Sequence, residues 1–174
     1  GINFEEKNNN INHHFGHIPC GHFDIVAHYF ENTVAAKTCF IGHGFFDHTG
    51  NYSHIIDYCL KRNFSVVIFD LPGHGLSAGE KANISSFQDY QIVLSNLLLF
   101  FKDKVPAPWC AIGQSTGSAI LMDFLLSEDK QVFPKTVLLA PLVRPRGWPV
   151  SKIIHNVARL FLTHITRKYA DNTS

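Results

Sequence analysis

Residues 105 to 127 read VPAPWCAIGQSTGSAILMDFLLS, and this stretch limits the fold more tightly than any other part of the chain. Its opening, Trp109-Cys110-Ala111-Ile112, is short and apolar, as a buried strand should be. Gly113-Gln114-Ser115-Thr116-Gly117 comes next, and Ile120, Leu121, Phe124 and Leu125 then recur at helical spacing. A bare Gly-x-Ser-x-Gly is more often an ordinary loop. Set between a strand and a helix, it predicts a nucleophile elbow. Such a turn holds Ser115 in a strained backbone conformation and needs Gly113 and Gly117 where a side chain would collide with neighbouring elements. It lifts the Ser115 hydroxyl above the sheet, at a helix N-terminus whose N–H groups favour negative charge.

The rest of the chain supplies matching elements. Gly16–Cys20 and Asp24–Phe30 read as two strands joined by a turn at Gly21-His22. Lys37–Ile41 is a short buried strand that empties into Gly42-His43-Gly44-Phe45-Phe46-Asp47-His48. A helix is predicted from Tyr52 to Lys61, with Ile55, Ile56, Cys59 and Leu60 inward and Asn63 closing it. Phe64–Phe69 is apolar almost throughout, as burial on both faces of a parallel sheet requires. Ser85 or Ser86 should cap the next helix, which runs to about Lys104 with Asp89 in its first turn. Thr136–Ala140 reads as a further buried strand. Four strands alternating with three helices between Lys37 and Ala140 predict a three-layer α/β fold with a mostly parallel sheet. The two leading strands would form its antiparallel edge.

Three regions follow: a polar, flexible segment at 1–15, the α/β core at 16–141, and a region of different character at 142–174. The last contains a predicted helix over about 150–168. Ile153, Ile154, Val157 and Phe161 lie on one side, and Lys152, His155, Arg159 and Lys168 mainly on the other. That pattern suits an ordinary packed helix or one that lies against a lipid surface.

Fifteen basic and fourteen acidic residues give a net charge of +1, which offers no electrostatic basis for nucleic-acid binding. Cys20, Cys39, Cys59 and Cys110 lack ligand spacing and read as reduced thiols. His13, His14, His17, His22 and His28 cluster, yet no cysteine or carboxylate completes a metal-binding set. No metal or other cofactor is expected. The polar start shows no signal peptide and no apolar run is long enough to span a membrane, so the expected location is cytoplasmic, with peripheral membrane contact through 150–168. The absence of an initiator Met suggests a trimmed or partial chain.

A serine hydroxyl needs a base to take its proton and an acid to orient that base. It also needs two donors for the carbonyl oxygen that becomes negative. One should be the N–H of Thr116, directly after the nucleophile, and the other the N–H of Phe45, in the first strand-to-helix loop. His43 precedes the nucleophile and reads as a support for that loop, with Gly44 and Gln114 beside it. Asp70, His74 and Ser77 read as hydrogen-bonding ties within their own loop. After Ser115 come Asp123, Glu128, Asp129 and Asp171 and the histidines His155 and His164, but none falls at the end of a later strand. No base and no acid are therefore assigned.

At Gly42-His43-Gly44-Phe45-Phe46-Asp47-His48-Thr49-Gly50-Asn51-Tyr52 the sequence resembles the α/β-hydrolases, and more narrowly the monoacylglycerol lipase and lysophospholipase group. Asp47, Thr49 and Asn51 stand at the acidic, serine and arginine positions of that group's HG-x-x-E-H-S-G-R-Y segment. Asp70 to Ser77 matches D-x-x-G-H-G-x-S, and Gly113 to Gly117 matches G-x-S-x-G with Thr116 where many members carry Met. The resemblance covers about 16–168. It implies Ser115 as nucleophile, Phe45 and Thr116 as oxyanion donors, and a cap domain opening at Pro141. The rest of such a cap, and two strands bearing the catalytic Asp and His, have no counterpart in this stretch.

The expectation is a serine hydrolase that cleaves carboxylic esters of single-chain lipids, a lysophospholipid or a monoacylglycerol, with these 174 residues inactive on their own. A soluble carboxylesterase or thioesterase for smaller acyl groups is the enzymatic alternative. A truncated hydrolase acting as a binding module is the other.

Overall fold

The computed structural model describes residues 10–127 and 132–142. Predictions for 1–9, for Glu128-Asp129-Lys130 and for the 150–168 helix lie outside the described residues.

Six strands form one sheet: β1 (Ile11–Cys20), β2 (Phe23–Asn32), β3 (Thr38–Gly42), β4 (Ser65–Phe69), β5 (Trp109–Gln114) and β6 (Lys135–Leu139). Their spatial order is β1-β2-β4-β3-β5-β6. β4, β3, β5 and β6 run parallel, while β1 pairs antiparallel with β2 and β2 antiparallel with β4. The fold is a mostly parallel α/β sheet with an antiparallel edge, as the alternation of elements predicts.

The parallel crossovers need helices to carry the chain back, and those helices bury both faces. α1 (Ser53–Leu60) packs Ile56, Cys59 and Leu60 on one face, over Cys39, Ile41, Val66 and Ile68. α2 (Phe87–Phe101) and α3 (Thr116–Ser127) cover the other, with Val93, Leu94, Leu97 and Ile120 over Phe40, Val67 and Ala111. Every residue of β3 and β4 is consequently buried. Each large apolar side chain so enclosed contributes about 1.5–3 kcal/mol. Local signals set the helix ends. The Ser86 hydroxyl accepts from the Gln88 N–H at 3.2 Å while the Asp89 carboxylate accepts from the Ser86 N–H at 3.1 Å, closing a capping box. Beyond α1, Asn63 takes φ +57 and ends the helical turn.

Three expectations are corrected. β1 begins at Ile11, so residues 11–15 are strand and not part of a flexible segment. Asn12 and His14 both bond the Glu31 carboxylate, at 3.1 and 3.0 Å, and His13 stacks on Phe30 at 4.3 Å. Polarity suggested disorder here, but each polar side chain finds a partner across the hairpin. β6 is not a buried strand: Val137 and Leu139 are 49% and 41% exposed, because β6 pairs only with β5 among the described residues. α2 ends at Phe101 and passes into turns before Lys104.

Among the described residues no helix is long and apolar enough to cross a membrane. The four cysteines are free thiols. The histidines of the first hairpin bond neighbouring side chains, His13 with His28 at 3.0 Å and His17 with Asp24 at 2.8 Å.

Candidate active site

β5 runs directly into α3 with a single residue, Ser115, at the joint. Its φ is +50, a left-handed conformation that a non-glycine residue holds at a cost of about 1–3 kcal/mol. Hydrogen bonds from three sides impose it. The Ser115 N–H donates to the Leu139 carbonyl at 2.9 Å, the Gly117 N–H to the His43 carbonyl at 3.0 Å, and the Ala119 N–H to the Ser115 carbonyl at 3.0 Å. The turn is thus pinned between the C-terminal ends of β3 and β6.

The two glycines of the turn are required by space. A Cβ on Gly117 would lie 2.2 Å from the Gly42 carbonyl oxygen, and one on Gly113 would lie 2.6 Å from the Ser118 nitrogen. Buried Ser118 closes the underside, its hydroxyl reaching the carbonyls of Gly113 and Leu139. α3 can therefore leave the strand end at close range, as the sequence predicts.

The loop after β3 arrives from the other side. A Cβ on Gly44 would be 3.5 Å from the Ser115 Cβ, so the backbone leading into Phe45 lies against the serine. Among the described residues the N–H groups of Phe45 and Thr116 donate to no protein acceptor. Thr116 is in the first turn of α3, where backbone N–H groups have no intrahelical partner. Phe46 follows at φ +57 with its ring 83% exposed, and Phe45 meets it edge-on at 4.6 Å.

His43 holds this loop in place. It is fully buried, and its Nε2 accepts from the Leu71 N–H at 2.8 Å. Nδ1 therefore carries the proton and donates to the Gly44 carbonyl at 2.7 Å. Burial lowers the pKa of His43 below its ordinary range, so the ring is neutral and both nitrogens are committed. This arrangement fits a positioning role, and neither nitrogen is available to Ser115. Asp70 is likewise structural: its carboxylate accepts from the N–H groups of Thr49 at 2.8 Å and Leu76 at 2.9 Å. His74 Nδ1 donates to the Pro72 carbonyl, 2.8 Å away, and its ring lies 5.0 Å from that of Phe45. Ser77 accepts from the Val26 N–H and donates to the Asp70 carbonyl.

A second set of contacts escaped the sequence reading. The Tyr52 hydroxyl accepts from the Gly44 N–H at 3.2 Å, lies 3.0 Å from the Asp47 carboxylate and also bonds the Gln114 side chain. Its single proton serves Asp47 or Gln114 at any moment. Burial, helped by Asp47, pushes the Tyr52 pKa up to about 12, so the phenol stays neutral. Burial disfavours charge on Asp47, but hydrogen bonds from Asn51, the His48 N–H and Tyr52 outweigh it and hold the pKa below the usual carboxylate range. Asn51 and Tyr52 lie on one short helical turn, Thr49–Tyr52, and Asp47 just before it. Only the fold shows that this turn faces Gln114.

Among the described residues no histidine or carboxylate bonds the Ser115 hydroxyl. Asp123 lies two turns along α3, away from the joint. Glu128, Asp129, His155, His164 and Asp171 lie outside the described residues. What the described geometry offers is a hydroxyl on a strained turn beside two unpaired amides, which suits attack on a carbonyl whose oxygen takes up charge.

Comparison with known proteins agrees with this geometry. The Hydrolase_4 family (serine aminopeptidase, S33) matches residues 33–173. Monoglyceride lipase of Mus musculus is 32% identical over 105 residues, 60% of this chain and 34% of the relative. The Homo sapiens monoglyceride lipase is 30% identical over 121 residues, 68% of this chain and 40% of the relative. The chain thus spans about a third to two fifths of the length of these curated relatives. Among solved structures, the Pyrococcus furiosus esterase Pf2001 superposes with a TM-score of 0.67 at 20% identity, over 92% of this chain and 59% of that one, a likeness of fold. With strand order, elbow and family match in agreement, the chain belongs to the serine aminopeptidase S33 family and has the α/β-hydrolase fold.

Proposed function

We propose that Ser115 is the nucleophile of a serine hydrolase that cleaves carboxylic esters of single-chain lipids, a monoacylglycerol or a lysophospholipid. The observation that carries this reading is Ser115 at φ +50 between β5 and α3, with the Gly44 backbone packed against it. The Ser115 oxygen adds to the acyl carbonyl carbon and its proton passes to a histidine base. The carbonyl oxygen, now negative, is held by the N–H groups of Phe45 and Thr116, each such donor being worth about 3 kcal/mol at the transition state. Collapse of the adduct breaks the bond to the alcohol, which leaves with the base's proton. Water, deprotonated by the same base, then releases the fatty acid and restores the serine.

The lipid preference is supported by the named relatives and by exposed apolar residues on the loops after β3 and β4: Phe45, Phe46 and Leu76, the last at 66% exposure. Residues 150–168 would supply peripheral membrane contact. The base and its orienting acid are proposed to lie outside the 174 residues, which leaves this stretch inactive alone.

Hydrolysis of a long-chain monoacylglycerol, a lysophosphatidylcholine and p-nitrophenyl acetate by the complete protein tests the reading. Higher kcat/KM on either long-chain ester than on the acetate is expected. Preference for the acetate would replace the lipid reading with the small-ester one. Brisk turnover by purified residues 1–174 would refute the placement of the base.

A further inference from the structure

The first hairpin and the end of α2 enclose a groove of about 440 Å³, within the size range of small-molecule sites. It is separate from the elbow. Lys104, on its rim, precedes β5, whereas Ser115 follows β5, and a six-residue strand separates its ends by about 20 Å.

The groove exists because two small residues face each other. Gly16 of β1 is in register with Ala27 of β2. A Cβ on Gly16 would meet nothing within 4 Å, so neither the backbone nor crowding calls for glycine there. What its missing side chain leaves is room. Around that floor stand Ile18, Tyr29, Phe100 and Phe101, an apolar and largely aromatic wall.

The rim carries charge of both signs, arranged unequally. Glu31 is already engaged, since its Oε2 accepts from both His14 and Asn12. The Lys104 ammonium sits 3.1 Å from the Phe100 ring centroid, with no carboxylate within ion-pair distance among the described residues. An apolar trough ending at an uncompensated cation complements a molecule with one apolar chain and one anionic head.

We propose that this groove is a second binding site, for a single-chain carboxylate amphiphile. Its head lies at Lys104 and its tail runs over Gly16 and Ala27. The site stands independently of the hydrolase reading, although a fatty acid released at Ser115 would belong to the ligand class it accepts.

The test uses the Ser115→Ala form of the complete protein, so that acylation plays no part. Decanoate and decan-1-ol are titrated by calorimetry below the aggregation limit of each. One-site decanoate binding is expected, lost when Gly16→Leu fills the floor, with circular dichroism confirming the fold. Lys104→Gln, on an exposed turn, should weaken decanoate about three- to fivefold, the scale of one exposed charge pair, and leave decan-1-ol unchanged. The proposal is overturned if decanoate does not bind, if folded Gly16→Leu binds it as tightly as the parent, or if Lys104→Gln affects acid and alcohol equally.

Discussion

The backbone of Gly44 is in van der Waals reach of Ser115: a Cβ placed on the glycine would stand 3.5 Å from the serine Cβ. One added methyl makes an ordinary contact, whereas a branched side chain would fill the space above the hydroxyl. Gly44→Ala should therefore keep most of the activity of the complete protein. Gly44→Val should lower kcat by about 100-fold, the scale expected when a reacting group is displaced by an ångström. Steady-state kinetics with a thermal melt on each variant checks this, and the melts should barely differ.

Glycines with different surroundings should respond in opposite ways to the same substitution. Gly117→Ala forces a Cβ to 2.2 Å from the Gly42 carbonyl oxygen and Gly113→Ala one to 2.6 Å from the Ser118 nitrogen. Each should destabilise the fold by roughly 3 kcal/mol or more. Gly16→Ala meets no neighbour and should change stability by less than about 1 kcal/mol, in the stabilising direction. Urea midpoints of the three variants measured side by side decide the matter.

Stability should fall as the medium is acidified below pH 6.5, the ordinary histidine value. The folded pKa of His43 is lowered, chiefly by burial, and that of His28 is lowered by burial and by His13. The unfolded chain thus takes up protons first. The contribution is fully present above the unfolded pKa and declines as pH drops toward the folded one, at up to about 1.4 kcal/mol per pH unit for each histidine. His28→Gln should remove part of the slope and leave the His43 part. A flat profile between pH 7 and 5 would contradict a buried neutral His43.

Removing one hydroxyl tests the support of the loop. Tyr52→Phe leaves the Gly44 N–H without its acceptor and takes a partner from both Asp47 and Gln114. A loss of about 1–2 kcal/mol is expected, with a lower kcat and little change in KM. Chemical denaturation and kinetics on the same preparation provide both readouts.

Much of the fold was legible because burial leaves a periodic trace. Phe64–Phe69, apolar almost throughout, read as a strand covered on both sides, and Ser85 or Ser86 with Asp89 marked the helix start to within one residue. The start of β1 was hidden, since the partners of Asn12, His13 and His14 lie across the hairpin and do not show as a local pattern. β6 was misread for a related reason: Val137 and Leu139 are apolar, yet composition cannot say whether a neighbour covers them. At the site, the Gly-x-Ser-x-Gly turn announced Ser115 because a strand pattern precedes it and a helix pattern follows. The joining of Tyr52 to Gln114, far apart in sequence, depends on how the turn after the β3 loop meets the end of β5 and could be read only from the fold.

Labelling of the complete protein with a fluorophosphonate probe, with the modified residue located by mass spectrometry, tests the role of Ser115 most directly. The expected result is a single adduct on Ser115, absent from Ser115→Ala. An adduct on another residue, equal labelling of Ser115→Ala, or a folded protein that ignores the probe would contradict it.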